Sequence, residues 1–149
     1  MKKLRAEVVF ILDRSGSMAG LENDTIGGFN SMLEKQKEES GEATVTTVLF
    51  DNEYELLHDR FDIHNIESIT GEQYFVRGST ALLDAIGRTI NKIANVQRNA
   101  GDSGKAEKVI FVDASGKSSS LYQVRMKHQS VSLWLIHFTV IFYFHHLPR

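Results

Sequence analysis

Cysteine is absent from all 149 residues. That excludes disulfides and any thiolate metal site, and it suits a reducing, cytoplasmic setting. A membrane-spanning run is missing as well. The one long apolar stretch, Leu133 to Phe144, is interrupted by His137 and Thr139 and falls short of the ~20 residues that a spanning helix needs. The basic start Met1-Lys2-Lys3-Leu4-Arg5 is followed by a short apolar run that ends at Asp13, so a first strand is expected there rather than a signal peptide. Surplus charge is small, at −2 overall, which gives no case for nucleic acid or an acidic surface as partner.

Acidic residues are missing from the end of the chain. All 19 lie at or before Asp113, with 13 of the 17 Lys and Arg, a net of −6. The last 36 residues hold four bases, no acid and four of the six histidines. Two parts are expected: an α/β domain over 1–113 and an atypical C-terminal tail over 114–149 with room for one added strand or helix. An apolar tail without acids also points to self-association.

What is present is ordinary for a globular domain, 42% hydrophobic and 24% charged, and long enough to bury its own core. The chain is organised around Val8-Val9-Phe10-Ile11-Leu12-Asp13-Arg14-Ser15-Gly16-Ser17. Five unbroken apolar residues suit a parallel strand covered on both faces. Ligands of open α/β sheets bind beyond the carboxyl ends of the strands, where the following turn lies. Asp13, Ser15 and Ser17 offer only oxygen, the preference of a hard cation such as Mg²⁺. Gly16 is expected to let the loop curl so that both hydroxyls face one point.

Asp-x-Ser-x-Ser after an apolar strand resembles the metal-ion-dependent adhesion site of von Willebrand factor type A domains. Arg77-Gly78-Ser79-Thr80-Ala81-Leu82-Leu83-Asp84-Ala85-Ile86 resembles the family's second segment, in which a threonine opening a helix joins the metal. The resemblance covers roughly residues 5–113. It implies a doubly wound, Rossmann-like, mostly parallel sheet with one antiparallel edge strand, complete only through its fourth strand. It also implies a metal set of Asp13, Ser15, Ser17, Thr80 and Asp113 around Mg²⁺ or Mn²⁺. Asp13 and the late aspartate often act through water in that family. Its ion typically captures a partner's Asp or Glu, so a binding module is implied and not an enzyme.

The remaining pattern is consistent with such a layer fold. Asn23-Asp24-Thr25 can cap a helix with Ile26, Phe29 and Leu33 on one face and Gly41 as its stop. Gly27-Gly28 inside it costs about 1 kcal/mol each; either the first turn frays, or small residues let the helix approach the sheet, as the resemblance implies. Ala43 to Phe50 reads as a strand, Asp51-Asn52-Glu53 as a turn and Tyr54 to His58 as an antiparallel return. Phe61 to Phe75 reads as a loop with a short helical turn. Ala81 to Val96 is the clearest helix, with Leu83, Ile86, Ile90 and Ile93 sharing a face. Val109 to Val112 is a strand that ends, like the first, at an aspartate.

Each candidate also has a plainer reading. Asp13 suits an ordinary turn at a strand end, and Ser79 or Thr80 suits a helix cap. Asp84, one turn beyond Thr80, suits a solvated or helix-capping carboxylate. Ala114 stands where the resemblance expects glycine after Asp113. Gly116-Lys117-Ser118 lacks the glycine that a phosphate-binding loop needs five positions earlier, where Phe111 stands. No Gly-x-Ser-x-Gly frame surrounds Ser15 or Ser17. Two rivals stay open: a nucleotide-binding enzyme built on Ser115 to Ser118, and a membrane-associated protein using Leu133 to Phe144.

Overall fold

The computed structural model describes residues 5–79, 81–101, 105–106, 108–115, 118–124 and 140–141, with backbone alone for 82, 108 and all residues from 111 onward. Its centre is β1 (Arg5–Asp13), whose residues from Val8 to Leu12 are all buried. The reason is alternation between two covered faces. Val8, Phe10 and Leu12 meet Phe29 and Leu33 of α1 (Glu22–Glu38). Val9 and Ile11 meet Ala85 and Ile93 of α2 (Leu82–Asn99). The sheet is thus sandwiched between helices, an α/β layer fold.

Strand order is β3-β2-β1-β4-β5-β6. β2 (Glu42–Phe50) and β4 (Lys108–Ser115) flank β1, both parallel to it. β3 (Tyr54–Asp62) returns antiparallel on β2 and forms the expected edge. The other side differs from expectation. β5 (Ser118–Val124) folds back antiparallel on β4, and Val140–Ile141 (β6) pairs antiparallel with β5. The sheet therefore carries antiparallel strands on both sides of its parallel centre. Ser115 pairs with Ser118, so the Ser115–Ser118 stretch joins two strands and does not lead into a helix as a phosphate-binding loop does.

Local expectations are corrected at four places. α1 begins at Glu22 after Leu21 with no side-chain cap; Thr25 instead turns its hydroxyl back to the Leu21 carbonyl at 2.9 Å. Gly27 and Gly28 lie inside this unbroken helix and are exposed, with open space where a Cβ would stand. They therefore mark neither a frayed turn nor a close approach to the sheet. β3 runs through Phe61 and Asp62, and Asp62 caps the 3-10 turn Ile63–Asn65. In α2 the buried line is Ala85, Thr89, Ile93 and Gln97, while Leu83 is 84% and Ile90 45% exposed.

The polar members of that line are satisfied, which explains the rotated face. Thr89 Oγ1 donates to the Ala85 carbonyl at 2.7 Å and meets the Tyr54 hydroxyl at 3.1 Å. Gln97 donates to Glu7 at 2.5 Å and accepts from the Ala106 amide at 2.8 Å. Glu7 is fully buried on β1 and also accepts from Arg60 at 2.8 Å. This cluster fastens β1, β3 and α2 at the end of β1 away from Asp13.

Candidate metal centre

β1 delivers Asp13 to the carboxyl edge of the sheet, where the chain turns sharply. Asp13 Oδ1 accepts from the Ser15 amide at 2.8 Å, the local bond with which aspartate starts turns. A 3-10 turn, Gly16–Met18, follows. Buried Met18 anchors it to the interior, and the Tyr74 hydroxyl donates to the Asp13 carbonyl from below. Burial pushes the Tyr74 phenol above its ordinary value, with the Asp13 charge adding to the rise. That phenol therefore stays a protonated donor.

This turn brings Ser15 Oγ and Ser17 Oγ to 2.9 Å from each other. Two neighbouring ligands on an octahedral Mg²⁺ with bonds of about 2.1 Å lie about 3 Å apart. The two hydroxyls are hydrogen-bonded to each other here, and the distance between them also matches that spacing. Asp13 and Ser15 are buried while Ser17 is exposed, so the cluster opens to solvent on the Ser17 side. Among the described residues no three His, Cys, Asp or Glu gather around one point. An ion here would draw, among the described residues, on the Asp13 carboxylate, hydroxyls and water. That donor set fits a hard cation and leaves part of its shell open.

Thr80 lies outside the described residues. Its neighbours are nonetheless held beside the serine loop: Gly16 donates to the Gly78 carbonyl at 3.0 Å and Arg77 to the Arg14 carbonyl at 2.7 Å. Gly78 has φ +67°, and a Cβ there would stand 2.2 Å from Asn52 Oδ1. Gly78 is thus the glycine that the site requires. Gly16 does not use a left-handed backbone, and a side chain on it would only touch the Gly78 carbonyl at 3.4 Å. α2 starts after Ala81 without a side-chain cap, so Ser79 does not cap it. Asp84 is exposed in the first turn of that helix, where its charge suits the helix dipole.

Asp113 is described by its backbone alone. It pairs with Ile11, two residues before Asp13, and β4 continues past it to Ser115. The strand does not end at Asp113 as expected, because pairing with β5 extends it.

Sequence reasoning missed the charged group beneath the loops. Arg14 is 1% exposed, its Nη1 donating to Glu55 at 2.7 Å and its Nε 3.4 Å from Asp51 Oδ2. Among the described residues its Nε and Nη2 have no hydrogen-bond partner. Asp51, at the end of β2, is also 1% exposed and accepts from Arg77 Nε at 2.7 Å. Burial pushes its carboxyl up, but the Glu53 amide, Arg77 and Arg14 outweigh this and hold it below its ordinary value. Phe75 lies about 6 Å from both guanidinium groups. Only an arginine between two metal-type residues and an aspartate in a turn were visible beforehand.

Beside this face, between the β2–β3 turn and the start of α2, runs a groove of about 410 Å³ lined by Glu53, Tyr54, Leu83, Asp84 and Arg88. No helix among the described residues is long and apolar enough to cross a membrane. No protein-family model, curated protein or solved structure matches the chain. Fold and site together define an α/β protein with a mixed sheet and an oxygen-lined turn at its carboxyl edge.

Proposed function

We propose that the chain is a divalent-cation-dependent protein-binding module of the von Willebrand factor type A kind. The observation that carries this reading is the Ser15–Ser17 hydroxyl pair, 2.9 Å apart beside Asp13, with Ser15 buried and Ser17 exposed. Ser15 and Ser17 hold Mg²⁺ or Mn²⁺ directly. Asp13 offsets one of its two positive charges, and Thr80 and Asp113 are the remaining members of the proposed set. The bound ion supplies an electrophilic position for an anionic oxygen. Ser15, fixed by the Asp13 turn, orients the shell, and exposed Ser17 sets the side from which a partner approaches. The partner presents an Asp or Glu carboxylate, and its flanking residues meet the groove beside Leu83 and Arg88. No bond is made or broken, so the module is not an enzyme. A cytoplasmic location goes with the absence of cysteine.

Selection of a random-peptide library on the immobilised chain tests this. Peptides enriched in Mg²⁺ are expected to share an acidic residue, to be released by EDTA and to be lost with Ser15→Ala/Ser17→Ala. Enrichment indifferent to EDTA, or retained by the double variant, contradicts the proposal.

A further inference from the structure

We propose that Asp51 is a positioning residue for the metal centre: through Arg77 and Arg14 its carboxylate locks the Gly78–Ser79 segment against the Asp13–Ser17 loop. The consequence for metal binding rests on the reading of that loop as a metal centre.

Asp51 touches three separate stretches of chain. Its Oδ2 takes Arg77 Nε at 2.7 Å and faces Arg14 Nε at 3.4 Å. Its Oδ1 accepts from the Glu53 amide at 2.6 Å. Its backbone carbonyl accepts from Ala81 at 3.0 Å, at the entrance to α2. Phe50, the residue before it, accepts from the Arg14 amide at 2.8 Å. The loop after β1, the β2–β3 turn and the segment leading to α2 therefore meet at one buried carboxylate.

The fit at this point is close. A Cβ on Gly78 would lie 3.3 Å from both Cβ and Cγ of Asp51, so the Gly78 segment lies flush on the aspartate. Among the described residues, two backbone bonds, those of Gly16 and Arg77, join the two segments. Such a short pairing between irregular segments needs side-chain support to persist. The Arg77–Asp51 pair supplies it from one side, and buried Arg14, its Nε 3.4 Å from Asp51 Oδ2, draws the same carboxylate from the other. Arg77 alone, 42% exposed at its side chain, would give a weak surface pair. Ending on a carboxylate 1% exposed, it becomes a lock.

The test uses two variants of the full chain, Arg77→Met and Asp51→Asn. Arg77→Met removes the lock while leaving Asp51 paired with Arg14, and it carries the test if Asp51→Asn fails to fold. Amide exchange at Gly16 in metal-free protein is expected to quicken, with Val8 to Leu12 still slow. Mn²⁺ affinity is expected to fall about 10–100-fold, the usual effect of losing a residue that orients metal ligands. An unmoved Gly16 amide, or wild-type Mn²⁺ affinity in Arg77→Met, overturns the lock and leaves the metal reading standing. A wild-type chain that binds no Mn²⁺ overturns that reading, and the positioning role with it.

Discussion

Arg14 shows how much a single residue can hide. Its neighbours Asp13 and Ser15 announce themselves by type and spacing, whereas Arg14 reads as an exposed charge. In the fold it is buried against Asp51 and Glu55, 37 and 41 positions away, and nothing local in the sequence encodes such a pairing. Removing one partner of a buried ion pair leaves an uncompensated charge and costs about 3–5 kcal/mol. Asp51→Ala is therefore expected to lower unfolding free energy in urea by about that amount. A loss under about 1 kcal/mol would show that Glu55 alone compensates Arg14.

His58 belongs to the same scale. Its ring meets the Thr47 hydroxyl at 2.9 Å and stacks over Phe29, and burial holds its pKa below the ordinary 6.5. The unfolded chain then binds a proton more readily than the folded one, so stability falls as pH drops. The contribution of His58 is complete above pH 6.5 and declines below it. Melting temperatures are expected to fall between pH 7.5 and about 5.5, less steeply in His58→Gln. Equal slopes in the two proteins would remove His58 as the cause.

At the scale of elements, the strands were legible and the helix faces only half so. β1, β2 and β4 are apolar or β-branched runs, the pattern of parallel strands covered on both faces, which leaves one interpretation. α2 misled because hydropathy assigns Leu83 to the core and Thr89 to water, while hydrogen bonds to Ala85 and Tyr54 let Thr89 go inside. Ile93→Ala should cost about 2–5 kcal/mol, as buried truncations do. Leu83→Gln should stay within about 0.5 kcal/mol, as exposed changes do. A larger loss at Leu83 in denaturant unfolding would restore the original face. In α1, Gly27 and Gly28 stand in open space, so Gly28→Ala should stabilise by about 1 kcal/mol.

At the scale of the whole molecule, the order of elements through β4 follows from alternating strand and helix signals. The hairpin of β4 and β5 does not, because Ser118 to Val124 carries no clear strand pattern and its pairing partner decides its structure. The serine turn was legible because Asp13, Ser15 and Ser17 lie within five residues. The Gly78 segment was legible through the resemblance alone, and the support from Tyr74 and Asp51 was not, since those residues come from loops that only the folded sheet edge brings together.

Calorimetric titration of the wild-type chain and Asp13→Ala with Mn²⁺, paired with melting curves, decides whether this edge is a metal centre. One ion per wild-type chain is expected. At about 100-fold excess over the dissociation constant, an ion that binds only the folded state adds about 2.7 kcal/mol. For a chain of this size that raises the melting temperature by roughly 5–10 °C. Asp13→Ala is expected to show neither heat nor shift at the same concentration. Superimposed wild-type melting curves with and without millimolar Mn²⁺, and a silent titration, would contradict a metal centre at Asp13, Ser15 and Ser17.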